Sequence, residues 1–529
     1  MAPTWQEVVA QKRRSQADAI AAVEGKTSSN EAVTGESDIT KLAASIAQGD
    51  ITAEDAAKAY IARAIEAHIQ TNCLTEICFE DALRHARELD AHLAQTGKPV
   101  GPLHGVPMTL KDQFNVKGYD TTIGYVGRAL SPAVDDATIV KMLRSMGAVI
   151  LAKTNLPQSI MWCETENPLW GLTTNPIDPR YTPGGSTGGE SALLYLKGST
   201  VGWGTDIGGS IRIPAHMMGL YGLKPSSARL PYNGVPVSTE GQEHVPSSVG
   251  PIARSLSSIQ HVMKSLVDLE PWDYDARCVP LPWREGAYHE ILSRPLTVGI
   301  LADDGVVRPH PPVARAVHRA TELLRAAGHD VVEWSPDLHP EIIAVQDAFY
   351  SADGGEDIRR DVAAGGEPFI PHVERLINRG QAISVFDYWQ LNRRKWALQQ
   401  AYLEKWKAVC SPTTGRPVDV VLMPAMPHTA VPHRACRWVG YTKVWNMLDY
   451  PALIVPADKV GPEDDTAEWA YEARNENDEW NAQIWTEHKA DMIRLGLPVG
   501  LQIIARKLEE EKVLAAGKII DDLLRAHQV

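Results

Sequence analysis

No two cysteines in this chain have the Cys-x-x-Cys spacing of a zinc site. The six that occur, Cys73, Cys78, Cys163, Cys278, Cys410 and Cys436, are scattered over 529 residues. Neither a structural zinc nor a disulfide framework is therefore expected, and buried free thiols fit a reducing compartment. No stretch reaches eighteen uninterrupted apolar residues, so no membrane span is expected. The first twenty residues, MAPTWQEVVAQKRRSQADAI, carry charge where a secretion signal needs an apolar core, which makes the cytoplasm the expected compartment. Positive charge is also short: 52 Lys and Arg against 66 Asp and Glu give a net charge of −14. The mean field repels polyanions, so nucleic acid is not an expected partner.

What is present is ordinary core-forming material, with 44% hydrophobic and 22% charged residues. Residues 1–100 read as an N-terminal helical layer packed on the core. Ala82, Ala86, Leu89 and Leu93 share one helical face, and Gly97 supplies a stop. Thr138 to Met146 predicts a helix closed by Gly147, followed by the buried strand AVILAK at 148–153. The same grammar returns as a strand from Thr297, a helix over Val313 to Ala327 closed by Gly328, and a strand from Asp330. DVVLMP from Asp419, ALIVP from Ala452 and VGLQIIA from Val499 add further strands. This alternation predicts an α/β fold built on one large sheet covered by helices. The acidic, poorly periodic stretch 457–490 is expected to be a solvated excursion from residues 101–529, the whole forming one compact domain.

Residues 184–212, GGSTGGESALLYLKGSTVGWGTDIGGSIR, hold two Gly-Gly-Ser blocks. Gly188, Gly189 and Glu190 put a carboxylate where a phosphate-binding loop needs lysine, and Gly202 and Gly204 lack the third glycine of a dinucleotide site. Two readings remain: plain turns, or a nucleophile beside an oxyanion hole. In the second, backbone N–H groups of Ile207, Gly208 and Gly209 face the oxygen that becomes negative when Ser210 attacks a carbonyl. A serine nucleophile needs a base. His216 and Asp206 lie close in sequence, but Ile211 and Arg212 replace the tail of a Gly-x-Ser-x-Gly elbow. Lys111, at the end of the apolar run VPMTL, is the other candidate, because burial can lower a lysine pKa by about 3 to 5 units.

PLHGVPMTLKDQ (102–113), TPGGSTGGESAL (182–193) and GTDIGGSIRIPAHMMGLYGLKPS (204–226) together resemble the amidase signature family, nearest its fungal acetamidase-type members. The resemblance continues through GLPVGLQIIAR and covers nearly the whole chain. It implies a large mixed twisted β-sheet with helices on both faces. It also implies a Ser-Ser-Lys triad, with Ser210 as nucleophile, Ser186 as bridging serine on a cis peptide after Gly185, and Lys111 as neutral base. Asp206 and Arg212 are implied as a supporting ion pair, and Thr187 stands where a second serine is usual.

In similar proteins the segment 159–171 borders the acyl cavity, with a backbone carbonyl at Ile160 facing substrate. That makes Ile160, Met161, Trp162 and Glu164 pocket candidates. Trp438, Tyr441, Trp445 and Asn446 resemble the far wall. The implied activity is hydrolysis of small carboxylic amides to an acid and ammonia or an amine through an acyl-enzyme, with no cofactor and no metal. A glutaminase subunit of a tRNA-dependent amidotransferase is the alternative, as is preference for esters, carbamates or anilides. The partner is a small-molecule amide, and a homodimer is left open.

Overall fold

The structure, a computed structural model, describes residues 3–465, 469 and 471–527. Thirteen strands occur among them: β1 (Leu74–Ile77), β2 (Pro107–Lys111), β3 (Val149–Thr154), β4 (Glu166–Asn167), β5 (Gly171–Leu172), β6 (Val201–Asp206), β7 (Tyr221–Lys224), β8 (Ser248–Ala253), β9 (Thr297–Ile300), β10 (Asp330–Glu333), β11 (Val420–Pro424), β12 (Ala452–Lys459) and β13 (Pro498–Ile504). Eleven of them form one sheet in the order β1-β3-β2-β6-β8-β7-β12-β13-β11-β9-β10, and β4 and β5 pair separately. The large sheet is mixed. Strand β2 runs parallel to both β3 and β6, whereas β6 and β8 are antiparallel.

Helices cover both faces because the strands are apolar on both. Within β3, Ile150 packs into a core shared with the helices Thr138–Ser145, Leu256–Val267 and Glu510–Ala526. Its neighbours Val149 and Leu151 point the other way, against the helices Ala53–Thr71 and Phe79–Thr96. Towards the other end of the sheet, Val420 and Leu422 of β11 enter the first core. Val421 and Met423 enter an aromatic core with Trp334, Tyr402 and Trp445.

Two sequence expectations differ from what the chain does. Among the described residues of 1–100, five helices are accompanied by one strand, β1, which pairs antiparallel with β3 and forms the sheet edge. Within 457–490, expected as a solvated excursion, the later part belongs to the helix Glu476–Leu495. That helix buries Ile484, Trp485 and Met492. Its inner face also carries Asp478 and Asn481, both buried, which masks the apolar period: Asp478 accepts from Arg308 N–H, and Asn481 donates to the Arg308 carbonyl. Thr466 to Glu468 and Ala470 lie outside the described residues.

The sheet brings the chemistry together at adjacent strand ends. Lys111 is the last residue of β2 and Asp206 the last of β6, and the two strands pair in parallel through Leu110 and Trp203. Their carboxyl ends therefore open side by side, the usual position for a site in such sheets.

Candidate active site

Alternation along β2 sends Met108 and Leu110 into the apolar core and Thr109 and Lys111 to the opposite face, towards the Gly-Ser loops. Lys111 is fully buried. Its Nζ lies 2.7 Å from Ser186 Oγ and donates to Thr205 Oγ1 at 3.1 Å. The Thr205 hydroxyl proton is committed to Gln113 Oε1 at 2.6 Å. The contact with Thr205 therefore uses an N–H of the amine, and a neutral Lys111 keeps its lone pair for another proton.

Burial pushes the Lys111 amine down to about 7, against the opposing pull of Asp206 and Glu190. Glu190, on the helix Gly188–Tyr195, is itself raised to about 8 by burial, although Thr109 and Thr154 donate to its carboxyl group. A protonated Glu190 removes the anion that would otherwise hold Lys111 charged.

The peptide between Gly185 and Ser186 is cis. Thr187 N–H donates to the Ser210 carbonyl at 3.1 Å, tying the two serine loops together. Ser186 and Ser210 line one cavity of about 670 Å³. Among the described residues Ser210 Oγ has no hydrogen-bond partner, Ser186 included, so its hydroxyl stands free at the cavity wall.

The loop before Ser210 is held by three successive backbone carbonyls. Asn446 Nδ2 donates to the Asp206 carbonyl (3.1 Å), Tyr350 OH to that of Ile207 (2.7 Å) and Thr442 Oγ1 to that of Gly208 (2.6 Å). In a trans peptide the following N–H points opposite its carbonyl, so these bonds fix the directions of the Ile207, Gly208 and Gly209 amides. Ile207 lines both cavities that reach Ser210, and Gly208 lines one of them. Gly209, expected as a third oxyanion donor, is buried, and its N–H donates to Asp206 Oδ1 at 2.8 Å; Asp206 has captured it. Glycine is required there all the same: φ is +133°, and a Cβ would stand 2.4 Å from Thr442 Oγ1.

Asp206 pairs with Arg212 at 2.8 Å, both fully buried. Burial alone would raise the carboxyl pKa, but Arg212, Lys224 and the Asn446 amide together carry it well below the usual carboxylate range. His216 is placed elsewhere. Its Nε2 bonds the His428 carbonyl (2.9 Å) and its Nδ1 accepts from Gly500 N–H (2.9 Å), so both ring nitrogens are spent on backbone.

A second cavity, of about 500 Å³, also reaches Ser210 and is lined by Ile160, Met161, Trp162, Gly185 and Trp438. Three pocket expectations are corrected. Glu164 lies behind the wall, where its carboxylate accepts from the N–H groups of Arg434 (2.6 Å) and Cys436 (2.9 Å). Tyr441 is buried with its hydroxyl on the Val307 carbonyl (2.7 Å), and Trp445 meets His339 and Tyr402 edge to face and stacks with Tyr450. The reason is helical phase. Val439 and Lys443, four apart, face the cavity from the helix Gly440–Met447 and its N-cap, which turns Tyr441 and Trp445 into the core. Thr205, Gln113, Tyr350 and Thr442 were not foreseen. Thr205 and Gln113 had a local signal, one immediately before Asp206 and the other two residues after Lys111 in the motif 102–113.

The Amidase family model matches residues 55–514. Amidase 1 of Gibberella moniliformis is 52% identical over 526 residues, covering 99% of this chain and 100% of that protein. The acetamidase of Emericella nidulans is 39% identical over 494 residues, covering 92% and 89%. Among solved structures, a fatty acid amide hydrolase superposes with a TM-score of 0.86 at 32% identity, covering 99% of this chain and 91% of that one.

Proposed function

The chain belongs to the amidase family and is an amide hydrolase, and we propose that it cleaves small carboxylic amides through a Ser210-Ser186-Lys111 relay and an acyl-enzyme. Ser210 Oγ attacks the amide carbon while its proton passes to Ser186 Oγ and the Ser186 proton passes to Lys111 Nζ. The carbonyl oxygen gains charge beside the Ile207 and Gly208 amides, where one such donor contributes on the order of 3 kcal/mol. Ser186 then protonates the leaving nitrogen, the C–N bond breaks, and Lys111 returns a proton to Ser186. Water repeats the cycle on the ester and releases the acid.

The observation that carries this reading is the 2.7 Å contact between a fully buried lysine amine, its pKa near 7, and Ser186 Oγ. End-to-end cover of a relative named an amidase supports a self-sufficient enzyme over a glutaminase subunit. The test is ammonia release from aliphatic and aromatic primary amides by the purified chain alone. Turnover abolished by Ser210→Ala is expected; turnover surviving that substitution contradicts the assignment. Faster hydrolysis of esters or carbamates than of every amide tried would shift the substrate class.

A further inference from the structure

The two cavities that meet at Ser210 differ in charge. Ser186, which hands its proton to the leaving nitrogen, lines the larger one and not the smaller. On the relay reading, on which this inference rests, the leaving group occupies the larger cavity and the acyl part the smaller. The larger carries Glu240, Glu243 and Arg277, with Arg277 3.5 Å from Asp275. The charged lining of the smaller is Asp347, Arg379, Arg437 and Lys443, three cations against one carboxylate. Asp347 is shared between Lys443 (2.7 Å) and Arg379 (3.7 Å).

Arg437 differs from ordinary surface arginines. Its guanidinium lies 3.5 Å from the centroid of the Trp480 ring, yet among the described residues no carboxylate lies within 4 Å and no acceptor takes its N–H groups. The ring stiffens the group while its N–H edge stays open at the cavity mouth. Arg375 adds a further positive charge close enough to act on it. In a chain of net charge −14 this mouth is a local reversal of sign. A planar, unoccupied guanidinium edge matches a carboxylate in two parallel hydrogen bonds.

We propose that the acyl part of the substrate ends in a carboxylate held at this mouth by Arg437 and Arg379, so that the enzyme acts on monoamides of dicarboxylic acids.

The test compares straight-chain amides of matched length ending in carboxylate, methyl or ammonium, using the full chain. The carboxylate-ended amide should exceed the methyl-ended one in kcat/KM by about tenfold, with the ammonium-ended one lowest. The advantage should shrink as salt screens the open mouth. Arg437→Gln should bring the ratio close to one, and Arg437→Lys should restore part of it. A methyl-ended amide equal to or better than the carboxylate-ended one in the wild type, or a ratio unchanged in Arg437→Gln, overturns the proposal. If no amide is turned over, the relay reading fails, and calorimetric titration with glutarate decides the subsite. Binding tighter to the wild type than to Arg437→Gln supports it, and equal or absent binding refutes it.

Discussion

Replacing Lys111 by methionine keeps most of the side-chain volume and removes the titrating amine, so it separates packing from proton transfer. Burial takes that amine from 10.5 to about 7. In the wild type the neutral fraction is then roughly 1% at pH 5 and 10% at pH 6, and acylation should climb tenfold per pH unit up to a plateau above pH 7. Lys111→Met should lower the plateau by about 10² to 10⁴, the usual worth of a positioned base, and erase the climb centred on pH 7.

Stability should move the other way. The folded pKa lies below the unfolded one, so between pH 7 and 10.5 the unfolded chain binds more protons. The amine's cost to folding is full below pH 7 and is relieved as pH rises through that window. The span corresponds to about 5 kcal/mol. The difference between wild-type and variant unfolding curves should therefore change with pH only in that window, with the variant more stable at neutral pH. Single-turnover acylation and urea titrations from pH 5 to 10 read both effects. An unshifted rate profile, or parallel stability curves, would refute the reasoning.

Tyr350→Phe removes the hydroxyl that orients the Ile207 carbonyl and, through it, the Gly208 amide. Losing about 1.4 kcal/mol of alignment should cut kcat about tenfold with KM moving less than twofold, since Gln346 still donates to the same carbonyl at 3.2 Å; steady-state kinetics check this. Gly209→Ala forces a Cβ against Thr442 Oγ1 and Ile213 Cδ1 at positive φ. It should cost roughly 3 kcal/mol of unfolding free energy, read by denaturant titration, together with most of the activity.

The sheet was legible wherever a strand is uniformly apolar. AVILAK and VGLQIIA fall within one residue of β3 and β13 at each end, and ALIVP starts with β12, which runs three residues further, to Lys459. Strand β6, VGWGTD, was not foreseen as a strand, because Gly202 and Gly204 read as loop. In the fold Gly202 makes room for Glu190, whose carboxyl oxygen stands 2.2 Å from where a Cβ would be. The positions of Lys111, Ser186 and Ser210 could be read from local motifs. Tyr350 and Thr442 could not, since they act on loop carbonyls more than 140 and 230 residues away in sequence. The misplacement of Tyr441 and Trp445 has the same origin. Sequence shows that aromatic residues gather near 438–446, but only packing against His339 and Tyr402 sets the phase of that helix.

The most direct measurement is the site of covalent capture. The purified chain is treated with a fluorophosphonate at pH 8 and mapped by peptide mass spectrometry, beside Lys111→Met and Ser186→Ala. A single adduct on Ser210, formed at least a hundredfold more slowly in both variants, is what the relay predicts. An adduct on another residue, or equal labelling rates in all three proteins, would contradict it.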